Sequence, residues 1–178
     1  RSIIVRWVGR PEKAIELNEG MIESMGAAFN FNISSNVIVF RAIPLAEVGR
    51  IEDAISILKY GFDISSKLGP FWRHASFLNC LGYCYGELHQ YQRAWELNLE
   101  SEKAALKMLE KYPTGLQYAE IAAQAGVNLI ENLFDQGKVD AAWNRMKSIE
   151  EQAKSIIFDS VRSLWEARMY YLGAQILL

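Results

Sequence analysis

Four prolines in 178 residues leave few places where the chain is forced to turn. An all-β domain carries a turn signal about every eight to twelve residues. Twelve glycines do not make up the shortfall, so long helices are favoured and the all-β class is excluded. Cysteine is almost absent. Cys80 and Cys84 build no disulfide framework, and a reducing, cytoplasmic setting is expected. The triplet Asn32-Ile33-Ser34 matches a glycosylation acceptor, but nothing else in the chain points to secretion. There is no cationic excess either: 19 Lys and Arg face 21 Asp and Glu, a net of -2, so direct nucleic-acid binding is not expected. No apolar run approaches the roughly 18 residues that span a bilayer. The stretch from Val37 to Phe40 is stopped by Arg41, and the tail from Ala174 to Leu178 is short, so no membrane contact is expected. The sequence shows no signal-peptide pattern, and its opening on Arg1 rather than Met suggests a segment of a longer protein.

The familiar motifs of catalysis are missing as well. The chain contains no Gly-x-x-x-x-Gly-Lys-Ser/Thr phosphate loop, His-Glu-x-x-His pair, Gly-x-Ser-x-Gly elbow or Ser-x-x-Lys nucleophile. Neither an enzyme nor a cofactor is therefore expected. Cys80 and Cys84 lie four apart, with His74 before and His89 beyond, which falls short of a four-ligand zinc set. They read as small core or groove residues, and no metal is expected.

What the chain does have is a repeated phrase. Gly9-Arg10-Pro11-Glu12-Lys13-Ala14-Ile15, Gly49-Arg50-Ile51-Glu52-Asp53-Ala54-Ile55, His89-Gln90-Tyr91-Gln92-Arg93-Ala94-Trp95 and Gly137-Lys138-Val139-Asp140-Ala141-Ala142-Trp143 share one form. Their alanines are separated by 54 − 14 = 40, 94 − 54 = 40 and 142 − 94 = 48 residues. A glycine closes one helix in a left-handed conformation. Acids then favour the positive start of the next, and a small alanine lets two helices approach. Each phrase thus marks the turn of a helical hairpin.

Between the phrases the apolar residues recur at helical spacing, as in Ile51, Ala54, Ile55, Leu58 and Phe62, or Leu78, Leu81, Tyr85 and Leu88. The pattern predicts a partial helix over 1–8, then helices over 11–26, 34–48, 51–68, 71–88, 91–110, 115–136, 139–154 and 159–177. Pro11 and Pro70 suit a first helical turn and Pro113 follows a helix end. Pro44 falls inside a helix, where a kink or a later start is expected. Trp95 and Trp143, which follow the repeat alanines, are expected in the core, with Trp72 and Trp165 nearer the surface.

Leu78, Leu81-Gly82, Tyr85 and Ala94 stand in the register of the tetratricopeptide pattern. Ile38, Arg41-Ala42, Leu45 and Ala54 upstream, and Gly126, Leu129-Ile130, Leu133 and Ala142 downstream, are degenerate copies. The chain therefore resembles the tetratricopeptide repeat family over nearly its whole length, with a period of 40 or 48 in place of about 34. Longer helices are the simplest cause. The stretch from Gly69 to Leu88, with Phe71-Trp72-Arg73 leading into Leu78-Asn79-Cys80-Leu81-Gly82, is similar to the long-period arrays that accompany bacterial signalling ATPases, nucleotide cyclases and transcription regulators. The helix from Asp159, with Arg162, Trp165, Arg168 and Tyr170, resembles their closing helix.

This resemblance implies an all-α fold, an α-solenoid wound as a right-handed superhelix from about four antiparallel helix pairs and a final helix. The implied units are 1–28, 29–68, 70–111, 114–155 and a final helix over 158–178. It also implies a regulatory or scaffold segment of a signalling protein that binds a peptide or protein partner in its concave groove. Carried onto the first helices, the family's groove positions fall on Asn36, Val39, Ile43 and Glu47, on Ser76, Asn79, Tyr83 and Glu87, and on Gln124, Val127, Asn128, Glu131 and Asp135. Asn36, Glu47, Asn79, Tyr83, Glu87, Gln124, Asn128, Glu131 and Asp135 make this face amide-rich and acidic, without the basic cluster that grips a terminal carboxylate. Such residues are often no more than a solvated helix face. An alternative is a small-molecule sensor array controlling a linked enzymatic or DNA-binding domain, with Asn79, Tyr83 and Asn128 lining a pocket. Uncapped ends would also permit homo-oligomers.

Overall fold

Three of the four turn phrases, at Gly49, His89 and Gly137, reverse the chain, and a short backbone motif explains each. The computed structural model describes residues 9–25, 31–68, 71–154, 166 and 169–174, and among these there is no β-strand. Seven helices follow one another: α1 (Pro11–Met25), α2 (Phe31–Glu47), α3 (Ile51–Leu68), α4 (Phe71–Glu87), α5 (Tyr91–Lys111), α6 (Leu116–Asp135) and α7 (Val139–Lys154). Residues 169–174 are also helical. The expected helices over 51–68 and 139–154 match, and the others differ by one to three residues at their ends. The expected helix over 1–8 and most of the final helix, including Arg162, Trp165 and Arg168, lie outside the described residues.

Gly9, Gly49 and Gly137 have φ of 76°, 82° and 70°, the left-handed region where a missing Cβ removes the clash. After α2, the Gly49 amide donates to the Ala46 carbonyl at 3.0 Å and that of Arg50 to Leu45 at 2.8 Å. The same pair of bonds closes α6 at Gly137 and Lys138, and α4 at His89 and Gln90. The carbonyl of the residue after the turn then begins the next helix, accepting from Ala54, Ala94 and Ala142 at 3.1, 3.0 and 3.0 Å. One residue thus ends one helix and starts another. The repeat alanines Ala14, Ala54, Ala94 and Ala142 are all at most 1% exposed.

His89 takes the glycine's place in the third turn, with φ of 57°. A left-handed conformation costs a residue with a Cβ about 1–2 kcal/mol. Its ring recovers part of this through Nδ1 and the Tyr91 hydroxyl, 2.8 Å apart but exposed. His89→Gly should therefore stabilise the fold by about 0.5–1 kcal/mol, read as a higher urea midpoint with unchanged slope.

Each helix packs on the next. In addition α2 touches α4 and α4 touches α6, whereas no two of the odd-numbered helices come within 8 Å between Cα atoms. The core is distributed along the chain in three clusters. One joins α1 to α5 around Leu45, Leu58, Phe77 and Leu78; a second joins α4, α5 and α6 at Ala75, Ala105 and Ile121; a third joins Val127, Ile130 and Ile149 to Met169 and Leu172. Phe77, Leu58 and Leu129 are fully enclosed, each worth about 1.5–3 kcal/mol of burial. Trp95 and Trp143 are half-buried at the edge of this packing, not inside it.

Pro44 lies inside α2, which starts at Phe31, so the later start is not what occurs. A proline has no amide to give the carbonyl four residues back, here that of Phe40. Asn18, fully buried on α1, donates its side-chain Nδ2 to that carbonyl at 2.8 Å. The missing helical bond is supplied by the neighbouring helix.

Candidate partner-binding groove

The even-numbered helices carry the expected groove residues at helical spacing. Asn79, Tyr83 and Glu87 follow one stripe of α4, and Gln124, Asn128, Glu131 and Asp135 follow one stripe of α6. Because α4 contacts α6, the two stripes meet. Asn79 Nδ2 donates to Gln124 Oε1 at 3.2 Å, and Asn128 Nδ2 donates to Asn79 Oδ1 at 2.9 Å and to Asn98 Oδ1 at 3.3 Å. Asn79, Asn98 and Asn128 are 5%, 1% and 9% exposed. These amides are not a solvated face. They form a ladder tying α4, α5 and α6, and buried amides require such partners.

Gly82 makes the ladder possible. A Cβ there would stand 2.5 Å from the Asn98 amide group, so the Leu81-Gly82 step opens the crossing of α4 and α5 to a polar side chain. One turn further along lies a cleft between α4, α5 and α6. Tyr83, Glu87, Asn128, Glu131 and Asp135 line it together with Asn98 and Asn132. Its volume is 30 Å³, room for about one or two waters. Glu87 and Asp135 stand exposed at its rim, while Tyr83 and Glu131 are half-buried. A wider depression of 550 Å³ covers the turn and first helical turn at His89 to Glu96. Its lining comes from that one segment, so it has no facing wall.

Asn36 and Glu47 are not part of the cleft. Asn36 Oδ1 accepts from Arg73 Nη1 across the α2–α4 contact, and Glu47 is exposed at the end of α2. Arg73 is a basic residue of α4 that the sequence placed in the Phe71-Trp72-Arg73 lead but not among the groove residues. It is only 6% exposed, and burial lowers its guanidinium to about 10. Asn98 and Asn132 were missed too. Asn132 Nδ2 donates to the Tyr91 carbonyl at 3.1 Å, and its Oδ1 accepts from Gln136 Nε2 at 2.7 Å. Asn98 lies one helical turn beyond the repeat alanine Ala94, opposite the repeat glycine Gly82, and that pairing was the available signal.

Cys80 and Cys84 are free and buried in the first core cluster. Burial, reinforced by Glu87, pushes the Cys84 thiol up to about 12, which makes it a poor nucleophile. His74 packs on Phe62 with ring centroids 4.3 Å apart. Its burial holds the imidazole below the ordinary 6.5, with Glu100 opposing in part. The unfolded chain therefore binds a proton more readily than the folded one. His74's contribution to stability is complete above pH 6.5 and is lost as pH falls below it. A pH series of melting temperatures should fall less steeply below that pH for His74→Gln than for the parent.

The chain matches no family model, and no curated protein matches it.

Proposed function

We propose that this chain is a tetratricopeptide-like array of helical hairpins that binds a peptide or protein partner along its even-numbered helices. In this reading it is a regulatory or scaffold segment of a bacterial signalling protein. The observation that carries the reading is the convergence of Tyr83 and Glu87 from α4 with Asn128, Glu131 and Asp135 from α6 on one cleft. The layer α2, α4 and α6, each touching the next in that series, supports the stacked arrangement. Helix lengths of 17 to 21 residues from α2 to α6 account for the long period. Stacked pairs of this kind use the surface of one helix layer for recognition.

The small-molecule reading is the weaker one. Ligand pockets usually enclose about 300–1,000 Å³, an order of magnitude above the 30 Å³ cleft. Panning a displayed random-peptide library on the folded chain tests the peptide reading. Selected peptides should bind the parent and lose affinity in Tyr83→Ala, whose ring lines the cleft, but not in Tyr60→Ala on α3. If no peptide binds more tightly than about 100 μM, or if Tyr83→Ala has no effect, the reading fails.

A further inference from the structure

We draw no further inference here: the strongest candidate, the exposed face that Tyr170 and Tyr171 form on the helical segment 169–174, whose other side packs Met169 and Leu172 into the third core cluster, carries nothing because nothing in the structure shows what covers it.

Discussion

Replacing Arg145 by methionine should cost about 3–5 kcal/mol. Arg145 on α7 pairs through Nη2 with Glu102 on α5. The side chains are 24% and 6% exposed, so removal of the guanidinium leaves a nearly enclosed carboxylate with no counter-charge. No Cα of α5 lies within 8 Å of α7, so the pair is a tie between helices whose backbones do not meet. Adding Glu102→Leu to Arg145→Met should recover most of the loss, since an apolar pair of similar volume avoids desolvating two charges. Urea unfolding of the parent, both single variants and the double variant completes the cycle. A double variant as unstable as Arg145→Met would refute the buried-charge explanation.

Asn18→Leu should cost about 1–3 kcal/mol by a different route. The leucine keeps most of the volume, but the Phe40 carbonyl loses the donor that replaced the amide absent at Pro44. The partner change is Pro44→Ala, which restores an amide four residues along the helix from that carbonyl. In that background Asn18→Leu should be less harmful, by about 1 kcal/mol. Identical losses in the two backgrounds would mean that the Asn18 bond is unrelated to the proline.

These two sites show where sequence reading stops. The hairpin turns were legible because each needs a left-handed residue followed by a buried alanine, and both requirements are local. Even His89 was found, since the spacing to Ala94 placed it where the other turns have glycine. The groove was legible as a set of positions but not as an environment. Asn79 looks like a surface amide until its partner Gln124, 45 residues away, is brought alongside. The same holds for Arg145 and Glu102, 43 apart, and for Asn18 and Phe40, 22 apart. Periodicity predicts which face of a helix is covered, and it is silent on which polar atom of a distant helix will meet it. Pro44 makes the point most sharply. The cost of a proline in a helix could be foreseen, but its remedy lay on another helix.

The turns have a consequence for how such a chain tolerates a change of length. Between Ala54 and Ala94 the spacing is 40 residues and between Ala94 and Ala142 it is 48, yet both intervals end in a turn of three residues, 88–90 and 136–138. The extra eight residues are taken up elsewhere: α5 and α6 are each three longer than α3 and α4 respectively, and four residues, 112–115, separate α5 from α6 where two positions separate the bounds of α3 and α4. An extra residue in a three-residue turn would swing the following helix by about 100° and carry its stripe away from the cleft. At the opposite edge a connecting loop absorbs the same insertion for a few tenths of a kcal/mol. The molecule therefore has one gauged edge and one adjustable edge, and the cleft lies along the gauged one.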